Sequence, residues 1–376
     1  MQTTPDVLVL GAGPSGLAVG ACLRRHRVPF EILERAAAVG SAWRNHYDRL
    51  HLHTVKQYSA LPGAPWPAHV PQYPSRLDVV AYLDAYAHRF ELAPRFGESV
   101  TRVRRDADRW RVTHTSGDTV ARSVVVATGY NRVPNVPRWP GDDGFRGEIV
   151  HSSNYHHGRA WQGRNALVVG AGNSGAEIAL DLWECGARVA LCVRGPVHVV
   201  PRDVFGIPAQ VNSLKIMSRL PPRVADRVSL AMLDRIVGDL SPWGIRRPAL
   251  GPVSQVIEEK QVPLIDVGTV GLIKQGHVRV VPGIARFIER GVVLDDGREL
   301  ALDVVVLATG YRTGLGALLD GAEVLLDARG HPRVHGAEAA PGLYFVGYRN
   351  PVTGALHDIA AEAQRVADHI AARRDA

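Results

Sequence analysis

Cysteine is nearly absent from the chain: 376 residues hold three, Cys22, Cys185 and Cys192. The odd count and the lack of a CxxC pair exclude a disulfide framework, a thiolate zinc centre and a dithiol redox centre, and no metal site is expected. Lysine is almost as scarce. Only Lys56, Lys215, Lys260 and Lys274 stand among 44 basic residues, and the arginines that supply the rest are scattered, with no basic run longer than two. The formal net charge of +7 is thus a general preference for arginine rather than a nucleic-acid-binding patch, although the excess suits an anionic small molecule. Long apolar runs are missing too. None approaches the ~20 residues of a spanning helix. Met1 to Asp6 carry no Lys or Arg, so the apolar run that follows, broken by Gly11, Gly13, Pro14 and Gly16, lacks the basic region of a signal peptide. A cytoplasmic chain without a membrane span is the expectation.

What is present points to two nucleotide sites. A hydrophobic share of 46% and a charged share of 22% describe an ordinary globular chain whose length suits two domains. Residues 6 to 35, DVLVLGAGPSGLAVGACLRRHRVPFEILER, and residues 165 to 195, NALVVGAGNSGAEIALDLWECGARVALCVRG, repeat one pattern. Each opens on an apolar run, meets GxGxxG, continues at helical spacing and returns to a second apolar run. The pattern predicts strand, glycine turn, helix and strand, the first unit of a dinucleotide-binding fold. One GxGxxG is weak evidence; two in this context are not. Gly11 and Gly170 permit a sharp turn. Gly13 and Gly172 bring backbone close to a pyrophosphate, and Gly16 and Gly175 let helix pack on strand. Each helix start offers free N–H groups and a positive dipole end to phosphate. The alternative is a pair of purely structural glycine turns.

The residue ending each second strand tells the sites apart. Glu34 ends the first; a carboxylate there accepts from a ribose 2′-hydroxyl and repels a 2′-phosphate. The matching position of the second unit holds Arg194, whose guanidinium suits a 2′-phosphate. The first site therefore reads as FAD and the second as NADP, with a solvated surface arginine as the alternative for Arg194. Two further segments, SVVVATGY (Ser123 to Tyr130) and DVVVLATGY (Asp303 to Tyr311), predict buried strands that lead the chain between domains and set backbone against a cofactor. The fold class is α/β, with two Rossmann-type domains. Residues 1–134 and 313–376 form the FAD domain, and the NADP domain, 135–312, is inserted in it. GLYFVGY (Gly342 to Tyr348) predicts a strand, and Gly354 to Ala372 a helix. Leu214, Met217, Val224, Val228, Leu233 and Ile236 form an apolar stripe at helical spacing, either a lid or a packed helical pair.

Between the two turns, FRGEIVHSSNY (Phe145 to Tyr155) fits FxGxxxHxxxY, with Phe145, Gly147, His151 and Tyr155 in place. On this fingerprint the chain resembles the flavin-containing monooxygenases. It is similar almost end to end to their YUCCA branch, the indole-3-pyruvate monooxygenases, through YDRLHLHTVKQYSALP (47–62), VRGPVHVVPRDVFG (193–206), WGIRRPALGP (243–252) and PLIDVGTVGLIKQGHVRVVPGI (263–284). It departs from the family at His156, where a Lys is usual, and at Gly40-Ser41-Ala42-Trp43, where Gly-Gly-x-Trp is usual. The resemblance implies His53 as the catalytic group beside the flavin, bonding the oxygenated flavin or a ribityl oxygen, with Lys56 on the same segment. A surface histidine is the alternative. His151 and Tyr155 are expected as structural links between domains rather than catalytic groups. The cofactor-binding set is Gly11, Gly13, Pro14, Ser15, Gly16, Glu34, Arg35, Trp43, Lys56, Thr128, Gly129, Gly170, Gly172, Asn173, Ser174, Gly175, Arg194, Thr309, Gly310 and Thr353, with Asn173 and Ser174 on the NADP pyrophosphate.

FAD and NADPH in one chain without a cysteine pair leave O2 as the simplest electron acceptor, and the resemblance implies a C4a-(hydro)peroxyflavin. The cofactor carries the hard chemistry and the protein positions it. The expected partners are O2 and a small organic substrate, with oxidative decarboxylation of an aromatic 2-oxo acid such as indole-3-pyruvate as the reaction. N- or S-oxygenation of an amine or sulfide, a reductase serving a protein partner, and a redox sensor stay open, as does a homodimer.

Overall fold

A computed structural model of the chain describes residues 5–374 apart from 216, 260, 350 and 352. In chain order the main elements begin with β1 (Val7–Leu10), α1 (Pro14–Arg25), β2 (Phe30–Glu34), α2 (Arg76–Arg89), β3 (Arg95–Phe96) and β4 (Ser123–Val126). Then come β5 (Glu148–His151), β6 (Asn165–Val169), α3 (Asn173–Glu184), β7 (Arg188–Cys192), α4 (Pro222–Ile236), β8 (Val278–Val281) and β9 (Val304–Leu307). β10 (Glu338–Ala340), β11 (Leu343–Phe345) and α5 (Ala355–Arg374) complete the chain. Among the described residues no helix is long and apolar enough to cross a membrane.

The chain divides into two compact units: Met1–Arg44, Thr54–Val133 and Tyr311–Ala376 form one, Asn45–His53 and Pro134–Gly310 the other. The first is built on a six-stranded sheet in the order β10-β11-β4-β1-β2-β3. β1, at its centre, pairs in parallel with β2 and β4, Val7 opposite both Phe30 and Ser123. Every residue of VLVL and SVVV in these strands is buried, as strands covered on both faces require. Leu8, Leu10, Leu33, Val124, Val126, Leu343 and Phe345 form the core. α1 buries Leu17, Ala18 and Ala21 completely and lies along α5, where His26 Nε2 meets Asp368 Oδ1 at 2.7 Å. The C-terminal helix thereby returns to the N-terminal turn. α2 starts at a capping box in which the Asp78 N–H donates to Ser75 Oγ and the Ser75 N–H to Asp78 Oδ2, which satisfies two otherwise orphan donors.

The second unit holds an all-parallel five-stranded sheet in the order β8-β7-β6-β9-β5, with Ala166 opposite Val189 and Val304. Its core packs α3, through Ile178 and Leu182, on Val168 and Val306. Residues 45–53, read from sequence as part of the first domain, pack here. Tyr47 is 2% exposed within this core, the Asp48 N–H donates to the His156 carbonyl at 2.9 Å, and Arg49 pairs with Glu184. The apolar stripe at residues 214–236 is only partly inward. Leu233 is buried, while Val224 and Val228 are each 44% exposed on the outer face of α4.

Candidate active site

In the first turn, Gly11 has φ +106° and any Cβ on it would lie 2.7 Å from the Ala127 carbonyl oxygen. The Ala-Thr-Gly end of β4 therefore lies directly over the turn. A Cβ on Gly16 would lie 1.8 Å from the Gly11 carbonyl oxygen, so helix and strand pack at a distance only glycine allows. Gly13 is the N-cap of α1 without a side-chain cap bond, Pro14 stands in the first helical turn, and nothing lies within 4 Å of a Cβ on Gly13. The start of α1 thus has room beside it, which fits a pyrophosphate. Ser15 is buried, and a Cβ on Gly347 would lie 2.0 Å from its hydroxyl.

Glu34 is buried at the end of β2. Its Oε2 accepts from the Ala12 N–H at 2.7 Å and its Oε1 from the Ala36 N–H at 2.9 Å, so the acid ties two loops together while keeping lone pairs for a ribose hydroxyl. Arg35 beside it is exposed. The Trp43 N–H donates to the Gly40 carbonyl at 2.9 Å in the single helical turn Ser41–Arg44. Thr128 Oγ1 lies 2.7 Å from the Tyr348 hydroxyl, which burial pushes up to about 12, and Gly129 has φ +75°. Thr353 Oγ1 donates to Asp358 Oδ1 at 2.9 Å ahead of α5. Lys56 departs from its expected role. Its ammonium donates to the carbonyls of Pro67 at 3.2 Å, Ala68 at 2.9 Å and Val70. All three of its protons are spent on carbonyls of residues 67–70.

The second turn repeats the first. Gly170 has φ +118°, and its Cβ would lie 2.4 Å from the Ala308 carbonyl oxygen. A Cβ on Gly175 would lie 1.8 Å from the Gly170 carbonyl oxygen. Gly172 caps α3 without a side-chain bond and faces open space. Asn173 differs from expectation in one respect: its Oδ1 accepts from the Ile265 N–H at 2.7 Å, so that oxygen serves the protein, and the backbone N–H groups of Asn173 and Ser174 are what the helix start offers. Arg194 lies just beyond β7, exposed and without an ion pair among the described residues. Thr309 Oγ1 donates to the Asn135 carbonyl at 2.6 Å, Gly310 has φ +79°, and the Gly310 carbonyl accepts from the Asn135 N–H at 2.9 Å.

The fingerprint residues act inside the second unit. His151 Nε2 lies 3.1 Å from the Gly310 carbonyl oxygen, and burial pulls its pKa down. The Tyr155 hydroxyl donates to Asp181 Oδ2 at 2.5 Å; burial, then Asp181, pushes Tyr155 upward. His53 Nε2 stands 2.8 Å from Glu177 Oε1, with side-chain exposures of 19% and 4%. Glu177, one turn into α3, escaped the sequence reading. Its only signal was an acid inside an apolar helical run, where the first repeat has Ala18.

Residues 8–204 match the family described as pyridine nucleotide-disulphide oxidoreductase. The probable indole-3-pyruvate monooxygenase YUCCA3 of Arabidopsis thaliana is 38% identical over 96% of this chain and 86% of its own length. The indole-3-pyruvate monooxygenase YUCCA1 of Oryza sativa subsp. japonica is 40% identical over 92% and 86%. Among solved structures, the flavin-containing monooxygenase from Stenotrophomonas maltophilia superposes with a TM-score of 0.72 at 27% identity, covering 98% of each chain.

Proposed function

Since the chain belongs to the YUCCA-like flavin-containing monooxygenases, we propose that it uses FAD, NADPH and O2 to oxidise an aromatic 2-oxo acid, with indole-3-pyruvate as the first candidate. The balanced reaction consumes the 2-oxo acid, O2, NADPH and a proton. It gives the arylacetic acid, CO2, NADP+ and water, the bond between the keto carbon and the carboxyl being cleaved. Reduced FAD supplies the oxygen-activating chemistry. The chain's own residues bind and orient. In this reading the first turn, with Gly11, Gly13, Pro14, Ser15, Gly16 and Glu34, holds the adenosine and pyrophosphate of FAD, and Arg35, Trp43, Thr128, Gly129 and Thr353 border that site. Gly170, Gly172, Ser174 and Gly175 with the Asn173 backbone hold the NADPH pyrophosphate. Arg194 takes its 2′-phosphate, and Thr309 and Gly310 border it. His53 serves the reacting centre by hydrogen bonding.

One observation carries the cofactor assignment: two glycine turns of matching geometry end in opposite charges, a buried carboxylate at Glu34 and, at Arg194, an exposed guanidinium without an ion pair among the described residues. The test is product identification with indole-3-pyruvate, phenylpyruvate, amines and sulfides under NADPH and air. Indole-3-acetic or phenylacetic acid in proportion to NADPH consumed is expected. Oxygenated amine or sulfide with untouched 2-oxo acids would reverse the substrate assignment.

A further inference from the structure

α3 carries three acids at helical spacing, Glu177, Asp181 and Glu184, which share one face. Each meets a segment outside the α-helices. Glu184 pairs with Arg49. Asp181 Oδ2 accepts from the Tyr155 hydroxyl and from the Gly158 N–H at 2.8 Å. Glu177 meets His53, the last residue of the segment that Tyr47, Asp48 and Arg49 fasten to the same unit. The first helix has no such stripe: its counterpart of Glu177 is the fully buried Ala18.

Glu177 is 3% exposed, and its Oε1 makes no aligned hydrogen bond among the described residues, although His53 Nε2 lies 2.8 Å away. A bare imidazole nitrogen and a carboxylate oxygen both present lone pairs and repel at that distance. Against an ionised Glu177 the contact is attractive only with hydrogen on Nε2. No protein partner of His53 Nδ1 exists among the described residues. We infer that Glu177 is a positioning residue for His53: it retains hydrogen on Nε2 and thereby leaves Nδ1 as the nitrogen open to a bound molecule. The inference rests on the role proposed above for His53.

Histidine-selective 15N labelling of the FAD-loaded protein tests it, because long-range 1H–15N spectra report which ring nitrogen bears hydrogen. The His53 signal is identified by its loss in His53→Ala. The expected result is an Nε2–H ring in the wild type and in Glu177→Asp. In Glu177→Gln, whose carboxamide can donate as well as accept, the ring should become mixed or Nδ1–H. In parallel, H2O2 released per NADPH with indole-3-pyruvate should rise at least fivefold in Glu177→Gln and fall back in Glu177→Asp. An Nδ1–H ring in the wild type, or a His53 signal unchanged in Glu177→Gln, overturns the inference. If the tautomer responds as expected and His53→Ala keeps wild-type coupling, the role of His53 at the reacting centre fails instead, and with it the step that Glu177 is inferred to serve.

Discussion

The two glycine turns share a backbone and differ in almost everything attached to it. Gly16 and Gly175 would each place a Cβ 1.8 Å from a carbonyl oxygen, and in each unit an alanine carbonyl, Ala127 or Ala308, closes over the first glycine. Around that common frame, α1 is apolar and lies against the C-terminal helix, whereas α3 presents acids to segments 45–53 and 155–158. Phosphate recognition needs only glycine and a free helix start, so duplicated turns keep it. The surroundings differ: a buried carboxylate, Glu34, ends one second strand, and an exposed guanidinium, Arg194, follows the other.

The most severe way to break the comparison is a methyl group at the tightest glycine of each turn, since overpacking against backbone costs about 1–3 kcal/mol or more. Gly16→Ala should purify with less than a tenth of the wild-type flavin. Gly175→Ala should keep its flavin and lose NADPH-dependent flavin reduction by about a hundredfold. Measured by visible absorbance and anaerobic stopped flow, the reverse pattern would exchange the two assignments.

Next in size is the charge beyond β7. A charge-assisted hydrogen bond is worth about 1.5–3 kcal/mol, so Arg194→Ala should lower the NADPH-over-NADH preference in kcat/KM by about tenfold to a hundredfold. An unchanged preference would leave Arg194 a solvated surface residue.

A third contrast concerns acid stability. In the first unit Glu98 is buried, and burial by itself raises its carboxyl. Hydrogen bonds from His114 at 2.7 Å, Ser116 at 2.8 Å and Arg95 at 2.8 Å overcome that and bring it down to about 2. A folded value below the ordinary carboxyl value of 4.5 means the stabilisation is fully present above that value. It is then lost as pH falls towards about 2. Glu98→Gln should therefore lower Tm at pH 7 and flatten its fall across that interval in calorimetry. A wild-type slope in the variant would place the acid transition elsewhere.

Smaller effects are expected where the structure moved a residue out of its anticipated role. Lys56→Met should cost about 1–2 kcal/mol in urea unfolding through the lost charged hydrogen bonds, with wild-type flavin content; loss of flavin would return Lys56 to the cofactor. Val224→Ser, on the outer face of α4, should change stability by no more than about 0.5 kcal/mol, and a larger loss would show that this face is covered.

The doubly repeated GxGxxG in strand–helix context made the parallel strands at the heart of both sheets legible, because a glycine turn between apolar runs has few other structural solutions. The places of Glu34 and Arg194 in the fold were legible for the same reason, since the end of the second strand lies at a fixed place relative to the turn. The Asn173 side chain was not: its oxygen goes to Ile265, which lies far along the chain. The partners of Lys56 were not legible either, because the three carbonyls that take its protons belong to residues 67–70. The fingerprint residue Tyr155 was expected between domains, yet its hydroxyl is held by Asp181 within one unit.

Local sequence determined whatever depends on neighbours a few residues away: the strands, the glycine turns, the uncapped helix starts and the charge that ends each second strand. Tertiary structure alone decided that residues 45–53 pack with the second unit, that three acids of one helix find partners in two separate segments, and that an alanine carbonyl closes each turn. Those features are contacts across long chain separation, and no periodicity encodes them.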